Sequence, residues 1–217
     1  MRQGHAQLGR VLFLNGGSSA GKTTLGRTLQ SGLPDPWLLL GIDQLMWALP
    51  PEMVNDPDGL SVHRGVITRG DRFMAIYGGF QLAVAALVRG GVNVILDDLT
   101  LDGATDQARW DDALQGLAVC WIGVRCAPGI AAEREAGRGT RLPGTARHQA
   151  ESVHRGVRYD VEVDTGVMDV GETTGVIAEH LAGRWSIHVS RNVDRPSLPP
   201  TSAWMPEGAI RPAPWER

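Results

Sequence analysis

The stretch Gly16-Gly17-Ser18-Ser19-Ala20-Gly21-Lys22-Thr23 follows directly on the apolar run Val11-Leu12-Phe13-Leu14 and fits the spacing G-x-x-x-x-G-K-[ST] of a phosphate-binding loop. That spacing constrains the fold more than any other feature, because such a loop works only between a strand and a helix. Thr24-Leu25-Gly26-Arg27-Thr28-Leu29-Gln30 supplies the helix, with apolar residues at helical spacing. The loop glycines let successive N–H groups turn inward onto phosphate, and the helix adds its positive N-terminal end. Gly16 through Thr23, with Thr24 after them, are therefore the expected nucleotide-binding residues. Lys22 is expected to reach the β- and γ-phosphates, and the Thr23 hydroxyl to ligate Mg²⁺. Lys22 is also the only lysine, against 20 arginines. A compact ammonium has been kept where a planar guanidinium will not fit among phosphate oxygens.

At 217 residues the chain is long enough for one α/β domain with a substantial core and too short for two ordinary enzyme domains. A formal charge of −3 creates no field that would gather nucleic acid, so nucleic acid is not the expected partner. No uninterrupted apolar run approaches the length of a membrane helix, and Met1-Arg2-Gln3-Gly4-His5 lacks the apolar core of a signal peptide. The expected location is the cytoplasm. Cys120 and Cys126 flank Trp121-Ile122-Gly123-Val124 and read as core residues of one strand rather than a disulfide or half a metal site.

Strand and helix signals alternate along the chain, which predicts a parallel sheet covered on both faces. After the first helix, Pro34 and Pro36 break the chain before Trp37-Leu38-Leu39-Leu40-Gly41-Ile42, a run that ends on Asp43. A carboxylate at the carboxyl end of such a strand lies on the ligand side of the sheet, with the phosphate loop. A short helix over Gln44–Leu49 is expected next. Pro51 to Gly70 shows no sustained period, which predicts a structureless loop, either a binding loop or a disordered one. Asp71 is expected to cap a long helix running to Gly90-Gly91. Val92-Asn93-Val94-Ile95-Leu96 then reads as a buried strand ending in Asp97-Asp98, the pattern of a metal-side carboxylate. Adjacent strand residues point to opposite faces, so one of the two should face Mg²⁺, and the sequence leaves the choice open.

Further on, a helix over Thr105–Leu114 carries Trp110 inward, and Leu117–Arg125 is the next strand. A helix from Pro128 carries Glu133, Arg134, Glu135 and Arg138, with Arg141 beyond Gly139. Arginines at this point, around residues 128–144, fit a lid whose charge closes over a transferring phosphoryl group. A helix over Ala146–Val153, a strand over Tyr159–Thr165 and a helix from Glu172 to Leu181 close the domain near Gly183. Residues 184–217 form an extension in which six of the 13 prolines fall between Pro196 and Pro214, with Trp185, Trp204 and Trp215 among them.

The segments LNGGSSAGKT, PWLLLGIDQLMWALP, VILDDLTL, WIGVRC through EREAGRGTRLPG, and VRYDVEVDT together resemble chloramphenicol phosphotransferase and its relatives, from about Val11 to Leu181. The resemblance implies a P-loop kinase fold of the nucleoside- or adenylate-kinase type, ATP·Mg²⁺ as donor and a small hydroxylated molecule as acceptor. It implies that Asp43 is the catalytic base and that Arg134, Arg138 and Arg141 are lid arginines. Gln44 stands where the chloramphenicol enzyme has serine, and Pro51–Gly70 resembles the family weakly, so the acceptor does not follow from the resemblance.

The reading of the sequence is thus an ATP-dependent O-phosphotransferase acting on chloramphenicol or a similar antibiotic. A kinase of a primary metabolite or nucleic-acid end, and a non-catalytic nucleotide-binding module, are the alternatives. A homo-oligomer is compatible with the sequence.

Overall fold

The computed structural model describes residues 7–63, 65–138 and 144–190. Its first strand, β1 (Arg10–Asn15), has Val11, Leu12, Phe13 and Leu14 all at 0% exposure. The period of two explains why both faces must be covered. Leu12 and Leu14 enter one apolar cluster, and Val11 and Phe13 enter another on the opposite face.

The chain continues through α1 (Lys22–Gly32), β2 (Trp37–Gly41), α2 (Ile42–Ala48), β3 (Leu60–His63), β4 (Val66–Arg69), α3 (Asp71–Arg89) and β5 (Asn93–Asp98). It then forms α4 (Ala104–Ala113), β6 (Ala118–Arg125), α5 (Pro128–Arg138), α6 (Thr145–Ser152), β7 (Val161–Asp164) and α7 (Val170–Trp185). Five strands make one parallel sheet in the order β2-β5-β1-β6-β7. The helical crossovers cover it. Leu25 and Leu29 of α1 and Ile177 and Leu181 of α7 lie in the cluster with Leu12 and Leu14. Phe73, Tyr77, Val84 and Val88 of α3 and Trp110 of α4 pack on the other face, where Phe13 stacks on Trp121 with ring centroids 3.9 Å apart. The chain leaves β5 on one side of β1 and enters β6 on the other. The crevice at the carboxyl end of β1, where that switch occurs, is where ligands bind in sheets of this kind.

The stretch expected to be a structureless loop contains a hairpin. After a 3-10 turn at Pro51–Met53, β3 and β4 pair antiparallel with Leu60 opposite Arg69 and His63 opposite Val66. Strands of four residues are too short to show a period in sequence, and the turn depends on Gly65 at φ +81°. Other elements differ at their ends. Gly70 caps α3 with no side-chain hydrogen bond, so Asp71 is its first residue rather than its cap. Asp43 sits in the first turn of α2 instead of ending β2. The last helix runs two residues past Gly183, and beyond it Ile187 and Val189 are buried in the α1–α7 cluster. The rest of the extension, residues 191–217, lies outside the described residues.

Among the described residues α3 is the one helix long and apolar enough, by length and composition, to cross a membrane. Its inward side belongs to the core of this domain, where Tyr77 and Gln81 are both buried.

Candidate active site

The loop between β1 and α1 is closely fitted to its neighbours. A Cβ on Gly16 would lie 2.4 Å from the Val124 carbonyl oxygen, and one on Gly17 would lie 3.0 Å from the Gln149 backbone. The loop ends at Gly21, whose φ of +90° makes it the αL N-cap of α1. No side chain caps α1 and no acidic residue lies in its first turn, which leaves its N-terminal N–H groups to the loop cavity. Ser18 and Ser19 are buried with hydroxyls that have no partner among the described residues. Anionic oxygen is what such a cradle lacks, so these residues fit a nucleotide's phosphates.

The two adjacent aspartates of β5 face different ways. Thr23 donates its hydroxyl to Asp97 Oδ2 at 2.5 Å, and Lys22 Nζ lies 3.6 Å from Asp97 Oδ1 and 3.2 Å from the Gly17 carbonyl. Asp98 is buried and accepts from the Tyr77 hydroxyl at 2.6 Å and from the Leu99 N–H at 2.7 Å. Burial pushes the Asp98 carboxyl up to about 7, against the opposing effects of those two donors and of Lys22. Tyr77 is raised well above its ordinary range by burial and then by the neighbouring Asp98. The hydroxyl of Thr23 with the carboxylate of Asp97 is a set of hard oxygen ligands that suits Mg²⁺. Asp98 is committed to Tyr77, which in turn accepts from Trp110 Nε1 at 2.9 Å.

A cavity of about 640 Å³ joins these groups. Ser18, Ser19, Gly21, Lys22, Thr23 and Asp97 line it, as does Asp43. Much of the remaining wall is apolar and comes from β2, α2, the hairpin and α3, including Leu40, Met46, Trp47, Val62, Phe73 and Leu101. A second cavity, of about 470 Å³, lies by the amino end of β6. It contains no phosphate-loop residue, and its charges pair with one another, Arg184 with Asp160 at 2.6 Å and Arg158 with Asp111 at 3.7 Å.

Of the expected lid arginines, Arg134 is tied down. It donates to the Thr165 carbonyl at 2.6 Å and to the Thr165 hydroxyl at 3.1 Å, and that hydroxyl donates to the Ala20 carbonyl at 2.7 Å. Arg134 thus braces the phosphate loop from behind. Arg138 is the last residue of α5, and Arg141 lies outside the described residues. Glu135, one of the charges on the helix from Pro128, is buried and accepts from the N–H groups of Gly144 and Ala146 at 2.8 Å each. It satisfies the start of α6.

Several residues of the site carry no sequence signal. Gln149 of α6 accepts from the Ser18 N–H at 2.9 Å, fixing the loop from a helix 131 residues away. Asn15, the last residue of β1, donates to the Val153 carbonyl at 2.9 Å and to the Tyr159 hydroxyl at 2.6 Å, and accepts from the Thr100 N–H at 2.9 Å. Only its place directly before the loop could have marked it. Arg69, at the end of the hairpin, donates from Nη2 to Asp102 at 2.6 Å and to Asp106 at 2.8 Å, and so fastens the cavity wall to the loop after β5. Asp106 is fully buried and also accepts from Arg109 at 2.7 Å. Asp106→Ala removes the buried carboxylate and leaves the Arg69 guanidinium only the exposed Asp102, and is expected to lower unfolding stability by about 1.5–3 kcal/mol, read as a lower denaturation midpoint in urea.

The same network gives a pH dependence. His154 shares a 2.6 Å hydrogen bond with the Tyr159 hydroxyl through Nδ1, and burial, then Arg125, lowers its pKa from 6.5 to about 4. Between those values the unfolded chain takes up a proton that the folded one does not, so stability is full above about pH 6.5 and falls as pH drops toward 4. His154→Asn keeps a polar group near Nδ1 and is expected to flatten that slope in urea titrations at stepped pH.

Comparison with known proteins agrees with this geometry. Residues 9–182 match the family described as chloramphenicol phosphotransferase-like protein. A Mycobacterium tuberculosis protein named "Putative O-phosphotransferase Rv2636" is 34% identical over 184 residues, spanning 76% of this chain and 78% of the relative. A Sinorhizobium meliloti gluconokinase structure superposes with a TM-score of 0.55 at 15% identity, covering 82% of this chain and 94% of its own. A Deinococcus radiodurans tunicamycin resistance protein superposes with a TM-score of 0.57 at 17% identity, covering 84% and 98%. The architecture is that of the α/β P-loop kinases, and the chain is a phosphotransferase. With 174 of its residues, 9 to 182, matched as one unit, it belongs to the chloramphenicol phosphotransferase-like family.

Proposed function

We propose that this protein transfers the γ-phosphoryl group of ATP to a hydroxyl of a small, largely apolar molecule of the antibiotic type, chloramphenicol being one candidate, in the cytoplasm. The observation that carries this reading is the cavity of about 640 Å³ in which Lys22, Thr23 and Asp97 form one end and much of the remaining wall, Asp43 apart, is apolar. An acceptor with an apolar body and a few hydroxyls matches a wall in which Leu40, Met46, Trp47 and Phe73 stand beside the polar Gln44, Asn55 and Arg69.

In this reading the loop from Gly16 to Thr24 holds the triphosphate, and Lys22 neutralises charge on its β- and γ-phosphates. Mg²⁺, held by Thr23 and Asp97, would supply further charge neutralisation when bound. Asp43 orients the acceptor hydroxyl and takes its proton as the oxygen–phosphorus bond forms and the bond to the ADP oxygen breaks. Residues 128–144, with Arg138 and Arg141, act as the lid, and Arg134 secures the loop beneath it. The kinase domain then comprises residues 1–183, and 184–217 are an extension to it.

The test is ATP consumption measured against chloramphenicol, tunicamycin and gluconate. Turnover with an apolar antibiotic alcohol and none with gluconate is the expected result. Turnover with gluconate alone would overturn the acceptor class, and nucleotide binding without turnover on any alcohol would favour a regulatory module.

A further inference from the structure

Arg69 places a nearly buried guanidinium in the wall of the large cavity with part of its hydrogen-bonding capacity unused. Its side chain is 7% exposed, and it lines the same cavity as Asp43, Phe73 and Tyr77. Its side-chain hydrogen bonds to described residues all leave from one nitrogen. Nη2 donates to Asp102 at 2.6 Å and to the two carboxylate oxygens of Asp106 at 3.0 and 2.8 Å. Neither aspartate lines the cavity. A guanidinium carries five N–H donors in a fixed plane, so those on Nε and Nη1 have no partner among the described residues. The carboxylates hold one edge of that plane, and Cζ lies over the Tyr77 ring, 5.9 Å from its centroid. The unused donors are therefore held in place before any ligand arrives.

The other polar side chains of this wall do not share that property. The Tyr77 hydroxyl is committed to Asp98 and Trp110, and Gln44 and Asn55 are exposed, where water satisfies them. A molecule whose apolar body displaced water from Arg69 without offering an oxygen in return would leave N–H groups of a buried cation unpaired. A site with such a donor rejects analogues that lack the matching atom. The surrounding charge narrows the chemistry of that atom. Arg109 also pairs with Asp106, at 2.7 Å, so two arginines and two aspartates cancel in formal charge. Directional donors without a net positive field suit a neutral carbonyl better than a carboxylate or a phosphate. We infer that Arg69 is a specificity-determining residue that holds, through Nε and Nη1, a neutral carbonyl oxygen of the acceptor. The assignment rests on the proposed function, in which the hydroxyl of the same molecule lies at Asp43.

The test is ligand-observed NMR titration of the full chain, with ADP present, against three alcohols that share one apolar body: para-acetylbenzyl alcohol, para-ethylbenzyl alcohol and para-(hydroxymethyl)benzoate. The wild type is expected to bind the ketone about 10-fold or more tighter than the ethyl compound, and tighter than the carboxylate. Arg69→Lys keeps a cation for Asp102 and Asp106, but its single nitrogen is taken by them and none is left for the cavity. It is expected to bind the ketone no better than the ethyl compound, with the affinity of the ethyl compound unchanged. Failure of the wild type to prefer the ketone, tightest binding of the carboxylate, or a ketone preference kept by Arg69→Lys would overturn the assignment. The wild-type comparison decides even if Arg69→Lys does not fold. Binding is read without turnover, so the two readings separate: a ketone preference that Arg69→Lys abolishes supports the role of Arg69 even if no alcohol is phosphorylated, a result that would remove the proposed transfer instead.

Discussion

Lys22→Ala is expected to lower kcat/KM for phosphoryl transfer by about 10²–10³-fold, the size of effect seen when one preorganised charge or donor is removed from a transition state. Lys22 Nζ already lies at the junction of the loop and the carboxylate strand, 3.2 Å from the Gly17 carbonyl and 3.6 Å from Asp97. Removing it leaves Asp97 and the incoming phosphates without their cation, so nucleotide affinity should fall together with turnover. Lys22→Arg is the sharper variant. Its guanidinium is planar and longer than an ammonium, and the space between the Gly17 carbonyl and Asp97 is fixed by backbone. Steady-state kinetics with a coupled ADP assay should therefore show Lys22→Arg far below wild type. If it keeps wild-type turnover, the reason given for a single lysine in an arginine-based chain is wrong, whatever the acceptor.

Asp43→Asn should act on a different parameter. A general base contributes about 10²–10⁴-fold, so kcat is expected to fall by that factor while KM for ATP stays near wild type. The separation follows from position. Asp43 belongs to the first turn of α2, whereas the phosphate cradle is built from the β1–α1 loop and the start of α1. Full activity of Asp43→Asn would remove the base assignment while leaving the nucleotide site intact. Equal losses in Lys22→Ala and Asp43→Asn, accompanied by lower nucleotide binding in both, would instead show that Asp43 supports the loop rather than the acceptor.

The parts of the fold legible in the sequence are those whose information is local. β1, β5 and β6 are buried on both faces and therefore read as continuous apolar runs, and α1 follows from a motif that requires a helix. The β3–β4 hairpin was not legible, because four-residue strands held by one left-handed glycine leave no period to count. Within the site, Lys22, Thr23 and the Asp97-Asp98 pair stood out by spacing. Gln149, Asn15 and Arg69 did not, because each acts through a single hydrogen-bond partner far away in the chain. The charge run of α5 divides for the same reason. Glu135 and Arg134 are neighbouring charges of one expected lid helix in sequence, yet one caps α6 and the other braces Thr165.

The sequence by itself determined a parallel α/β sheet, a phosphate loop at the end of its first strand, a lysine reserved for that loop, and a carboxylate on the ligand side of two neighbouring strands. These follow from periodicity and spacing, which are properties of the chain alone. Tertiary structure decided which of the adjacent aspartates meets Thr23 and Lys22. A strand's alternation says that Asp97 and Asp98 point apart, but only the neighbours each one finds, α1 for Asp97 and Tyr77 of α3 for Asp98, fix which points where.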